Sequence, residues 1–190
     1  MTTCYGHVLS LLVVCIWIIS QMESERNKMS KNNKSVVWLI ITVVWMTVIF
    51  CFSAQPADVS ADTSLHVGMA IGHMIVPGFS EMPKEEQMDY AKKIEFPMRK
   101  MAHATEYAIL GCLLTNLCLS LSMKKAYMWS WLMGSAYAAT DEFHQLFVPG
   151  RSGQITDVMI DSVGCLIGCL VTCLILHLVK NMHLSKPAKL

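Results

Sequence analysis

The chain has 190 residues, of which 54% are hydrophobic and 15% charged, and its formal net charge is +1. That length suits one domain, and a charged share well below the usual quarter excludes a water-soluble globule able to hide all its apolar surface. With near-neutral charge and no basic stripe, a nucleic-acid partner is excluded as well. The expectation is an all-α, multi-pass protein of the cell membrane.

Of the eight cysteines, Cys15, Cys51, Cys112, Cys118, Cys165, Cys169 and Cys173 lie inside apolar runs. No CxxC pair and no Cys/His zinc spacing is present. Cys165, Cys169 and Cys173 recur every four residues, the mark of a small, soft packing surface on a helix.

In chain order, the first apolar run, Val8 to Ser20, is short of the roughly 20 residues a membrane span needs. It also lacks the basic start and small-residue cleavage site of a signal peptide. Met29 opens a basic leader with Lys31 and Lys34, so residues 1–28 read either as an upstream extension or as a genuine extra hydrophobic helix. Ser35 to Ser53 is the first core span, closed by Gln55-Pro56. Asp58 to Ser64 reads as a polar turn region, and Leu65 to Val76 as a short helix ended by Pro77-Gly78. Pro83 to Glu95 reads as a separate amphipathic helix at the membrane surface, with Met88, Ala91 and Ile94 on one face. His103 to Ser122 is the second span. Ala126 to Phe147 is the third, with Tyr127, Trp129 and Trp131 as an interfacial belt. Pro149-Gly150 turns the chain, and Asp157 to Val179 is the fourth. The expected fold is a four-span helix bundle at 35–179, preceded by an extension and leader at 1–34 and followed by a basic tail at 180–190.

Basic residues set the expected orientation. Arg26, Lys28, Lys31 and Lys34 precede the first span, Lys124 and Lys125 separate the second and third, and Lys180, Lys186 and Lys189 follow the fourth. All belong on one side, so both ends of the core are expected in the cytoplasm. Arg99-Lys100 is the exception, a basic pair on the outer side.

That topology makes polar residues converge at the outer ends of three spans. Residues three or four apart share a helix face, so Arg99, His103, Glu106 and Tyr107 line one face. Gly134, Tyr137, Asp141, His144 and Gln145 line a second, and Asp157, Asp161, Gly164 and Gly168 a third. Glu142 points about a hundred degrees from Asp141, toward a neighbouring helix or solvent. Gly164-xxx-Gly168 allows close helix approach beneath the acidic pair.

These residues carry a resemblance. Arg99-Lys100-x-x-His103-x-x-Glu106-Tyr107, then Asp141-Glu142-x-His144-Gln145-x-Phe147-x-Pro149-Gly150-Arg151, then Asp157-x-x-x-Asp161-x-x-Gly164-x-x-x-Gly168 closely resemble the VanZ-like family. Phe52-Ser53-x-Gln55-Pro56 does so too, and the likeness runs from about Ser35 to Leu178. The family often has Asn where Asp161 stands. The resemblance implies a small bacterial integral membrane protein of the envelope, related to one linked to low-level teicoplanin resistance. It implies no particular reaction.

Three uses of the cluster follow from its chemistry. Arg99 and Arg151 would neutralise Asp141, Asp157 and Asp161 in a buried ion-pair network that fixes helix packing. Alternatively, a membrane-embedded hydrolase or transferase would use His103 or His144 as general base, Asp141 to orient His144, and Glu106, Asp157 and Asp161 as further catalytic carboxyls. Arg99, Tyr107, Gln145 and Arg151 would then hold an anionic or lipid-linked substrate. Third, a lipid-binding or transport protein, monomeric or homo-oligomeric, would use the same arginines for docking. No cofactor or metal is expected, although His103, Glu106, His144 and Asp161 would form a mixed N/O ligand set.

Overall fold

The computed structural model describes residues 31–184. The apolar run at 8–20, the upstream extension and the end of the basic tail lie outside the described residues. The described chain is all helical: α1 (Lys31–Ser53), α2 (Ala57–Ile75), a 3-10 turn (Phe79–Glu81), α3 (Lys84–Ser120), α4 (Ala126–Gln145) and α5 (Ile155–Leu184).

Two elements depart from the sequence expectation. Asp58 to Ser64 is the first part of α2 rather than a turn. Pro56 stands at its N-cap and Asp58 in its first turn, where a carboxylate complements the helix dipole. Thr63 and Ser64 donate back to Val59 O and Ser60 O at 3.0 and 2.9 Å, so their hydroxyls do not disrupt the helix. Second, the expected surface helix and second span are one 37-residue helix, α3, that runs through Pro97. Proline reads as a stop because it lacks an N–H and crowds the preceding turn. Here it costs one ladder bond on an exposed face, and packing on both halves of α3 carries the helix past it.

The N-terminal half of α3 is held by α2. Gly68 lies against Ala91, where an added Cβ would come within 3.1 Å of the Ala91 backbone. Phe79, 1% exposed, packs beside Gly72 and meets Tyr90 edge-on at 5.4 Å.

The C-terminal half of α3 packs along α5. Gly164 and Gly168 face the carbonyl oxygens of Ala104 and Ala108, and Gly111 faces Cys165 O. A side chain at any of these three positions would occupy space already held by backbone. The close helix approach expected at Gly164 and Gly168 is therefore borne out. Cys165 and Cys169 are buried in this contact, and the Cys169 thiol donates to Gly111 O at 3.6 Å. On its other side α5 meets α4, where Ser135 and Ser162 hydroxyls are 2.7 Å apart and Trp131 Nε1 donates to Ser162 Oγ at 3.1 Å.

α3 ends in a Schellman motif: Met123 N–H donates to Cys118 O and Ser122 N–H to Leu119 O, both at 3.0 Å. Ser122 takes the left-handed position, φ 58°. α1 completes the bundle through Trp45 Nε1, which donates to Glu106 O at 3.0 Å, and receives Tyr137 OH on Met46 O at 2.7 Å. Among the described residues, two helices, at Asn33–Ser53 and Ile155–Asn181, are long and apolar enough to cross a membrane.

Candidate functional site

Polar side chains in this bundle fall into two groups. Those along its middle satisfy themselves locally: Thr42, Thr115, Ser130 and Thr172 each donate to the carbonyl four residues back in their own helix. Those at one end do not. Among the described residues, the buried side-chain atoms without a hydrogen-bond partner belong to Ser53, Glu95, His103, Tyr107, Asp141, Glu142, His144, Gln145 and Asp161. Carboxylate oxygens dominate this set: Glu95 Oε1, both of Asp141, Glu142 Oε1 and both of Asp161. Native interiors pair the great majority of such atoms, so their concentration at one place is informative.

Helix geometry explains how they meet. On α3, Glu95, Arg99, His103 and Tyr107 follow one another at four-residue steps. Arg99 Nη2 lies 3.2 Å from Glu95 Oε1, a charge contact without an aligned hydrogen bond. Lys100 forms an ion pair and hydrogen bond with Asp157 of α5. One turn deeper, His103 Nδ1 and Asp161 Oδ1 are 3.9 Å apart, beyond hydrogen-bond reach. Asp161 is fully buried, and its charge neighbours are Glu142, Asp141, Asp157 and Glu106. Tyr107, also fully buried, carries an unpartnered hydroxyl, and its ring stands 6.2 Å from Tyr137.

On α4, Asp141 is 3% exposed. The Ser53 hydroxyl and Gln145 amide face its carboxyl but stop short of hydrogen-bond geometry. His144 lies beside Asp141, its ring 4.5 Å from that of Phe50 on α1. Glu142 turns toward α5, where Oε2 accepts the Gln154 N–H at 2.9 Å just before that helix begins.

The Pro149-Gly150-Arg151 corner roofs this end. Gly150 adopts φ 72°, a conformation that suits glycine. Pro149 O accepts Ala57 N–H at 3.2 Å, and Arg151 Nε donates to Gln55 O at the same distance. The Gln55-Pro56 and Pro149-Gly150-Arg151 motifs are thus two sides of one stitched loop pair. Arg151 has Arg99, Glu142, Asp141 and Asp157 as charge neighbours. Burial first, and then the Arg99 guanidinium, hold its pKa below the ordinary arginine value.

The structure therefore brings His103, Glu106, Tyr107, Asp141, Gln145, Asp157 and Asp161 together, with Arg151 above them. It does not build the expected ion-pair network on the two arginines. Arg99 contacts Glu95 rather than Asp141, Asp157 or Asp161, and no carboxylate lies within ion-pair distance of Arg151 among the described residues. The lysine of the outer basic pair makes the interhelical bridge instead, because the α3–α5 contact puts Lys100 opposite Asp157. Nor do His103, Glu106, His144 and Asp161 converge as metal ligands; no such group is arranged to hold a metal ion among the described residues.

Lys100, Ser53 and Glu142 join the site beyond the residues that sequence pattern points to. The anomalous outer basic pair was the signal for Lys100, and the Phe52-Ser53-x-Gln55-Pro56 motif for Ser53. For Glu142 the signal was its position about a hundred degrees round α4 from Asp141, toward the neighbouring chain segment whose Gln154 N–H it accepts.

Fold and site together define a helical-bundle protein with a buried, partly unsatisfied acidic cluster at one end. The chain belongs to the VanZ/LLP1 family, whose model matches residues 38–176. No curated protein and no solved structure matches it.

Proposed function

We propose that this protein spans the membrane with α1, the C-terminal half of α3, α4 and α5, and binds the headgroup of a phosphate-bearing envelope lipid in the cluster at their outer ends. Through that lipid it alters susceptibility to glycopeptides such as teicoplanin. The observation that carries the reading is the accumulation of buried, unpartnered carboxylate oxygens beneath a basic rim. Unpaired acceptors call for a ligand rich in O–H or N–H donors, while Arg99, Lys100 and Arg151 suit its phosphate. A phospholipid with hydroxyls or an amine in its headgroup has both parts.

Several features support the membrane setting. α1 and α5 are apolar over a span's length, and large apolar side chains stay exposed along them, including Leu39, Ile40, Val43, Leu170 and Leu174. Such surface is far beyond what water-soluble proteins tolerate. At 1.5 Å per residue, α3 is about 55 Å long, against a hydrocarbon core of about 30 Å. Its N-terminal half with α2 would therefore extend outside, and the lysines between α3 and α4 and beyond α5 favour the cytoplasm for the opposite end.

A second reading, acid–base catalysis on the bound headgroup, is favoured by His103 and Asp161, which stand 3.9 Å apart with unpaired atoms facing each other. A substrate hydroxyl between them would lie within reach of both.

The test compares a strain lacking the protein with strains expressing the wild type, Arg151→Ala or Asp161→Leu at equal membrane levels. Wild type is expected to shift teicoplanin susceptibility and phospholipid composition, and the variants to leave both at the deletion level. Variants as active as wild type would refute the proposal.

A further inference from the structure

An apolar groove lies between α3 and α5, lined by Ala104, Met159, Ile160, Val163, Gly164 and Ile167. Its floor is the close contact of Gly164 with the Ala104 backbone. Met159, Val163 and Ile167 remain 63%, 56% and 51% exposed along it. Its upper end is capped by the Lys100–Asp157 pair: Ala104 follows Lys100 by one turn, and Ile160 follows Asp157 by three residues. Behind that pair stand His103 and the fully buried, unpartnered Asp161. Groove and ion pair thus follow one another on a single path along the α3–α5 seam, with Asp161 one helix turn below Asp157.

We propose that an intact anionic phospholipid enters the site sideways through this path, with one acyl chain in the groove. Its phosphate takes Lys100 from Asp157, and its donor-bearing headgroup reaches Asp161. This rests on the headgroup-binding function proposed above and adds the route and the lipid tail to it. The charges fit the occupant, since Lys100 is the cation nearest the groove and a phosphate at the head of an acyl chain sits where that chain leaves the hydrocarbon.

The test is a titration of the purified full-length protein in detergent with dioleoyl and dihexanoyl phosphatidylglycerol. Val163→Trp and Met159→Trp fill the groove from exposed positions, away from the polar cluster. Each is expected to weaken dioleoyl binding about tenfold, the effect of uncovering about two methylenes, and to leave dihexanoyl binding unchanged. Lys100→Gln is expected to weaken both. If both tryptophan variants bind the dioleoyl lipid as wild type does while the dihexanoyl lipid still binds, the sideways seat is wrong and the headgroup site stands. If wild type binds neither lipid, both proposals fall. A wild-type dimer that Val163→Trp splits would assign the groove to a second copy and overturn the lipid seat.

Discussion

Replacing Asp161 with leucine separates a binding site from a packing device by the sign of the stability change. Asp161 is fully buried, both its oxygens lack partners, and the nearest basic group, His103, is 3.9 Å away. Leucine has nearly the same branched shape and leaves no acceptor to satisfy. An unsatisfied buried polar group costs about 1–3 kcal/mol, so Asp161→Leu should stabilise the free protein by about that amount. At about 2–4 °C per kcal/mol for a chain of this size, its melting temperature should rise by about 2–12 °C. If the carboxylate were instead a partner in a buried ion-pair network, its removal would cost about 3–5 kcal/mol. The assay is thermal unfolding in detergent without added lipid, run beside a lipid titration. Higher stability with lost lipid binding is the expected pair of results. A fall in melting temperature would refute the reasoning, because Asp161 would then be holding helices rather than waiting for a ligand.

Other outcomes follow from the same geometry. Gly168→Val should destabilise by about 1–3 kcal/mol, seen as a lower melting temperature, since its side chain would meet the Ala108 carbonyl, a backbone atom with nowhere to rotate. Arg151→Lys removes the Nε bond to Gln55 O and the planar fork; it should weaken phosphatidylglycerol binding by about tenfold or more, read by titration. In a background with the native cysteines replaced, Ser152→Cys should react with an impermeant maleimide added to intact cells and Ser122→Cys should not. The reverse labelling would invert the proposed orientation.

Much of this bundle could be read from the chain because its cues were periodic and redundant. Four-residue steps put Arg99, His103 and Tyr107 on one face, and small residues at 164 and 168 marked where α5 meets α3. Two kinds of feature escaped. The surface helix at 83–95 and the second span from His103 read as separate, yet tertiary packing on either side of Pro97 carries α3 straight through. Pairing was the other: sequence spacing shows which residues share a helix face, but the choice between Arg99 and Lys100 as partner of Asp157 depends on how α3 is rotated against α5. Glu142 illustrates the same limit, since its bond to Gln154 depends on a chain reversal.

Whether the acceptor-rich residues at one end of the bundle await a donor-bearing lipid headgroup is decided by comparing two lipids of equal chain length. Native mass spectrometry of the full-length protein with dioleoyl phosphatidylglycerol and dioleoyl phosphatidylcholine isolates the headgroup, because both carry phosphate but only the former has hydroxyl donors. The expected result is a preference for phosphatidylglycerol of about tenfold or more, the value of one well-made charged hydrogen bond, and its disappearance in Asp161→Leu. Equal binding of the two lipids, or a preference that survives in Asp161→Leu, would contradict it.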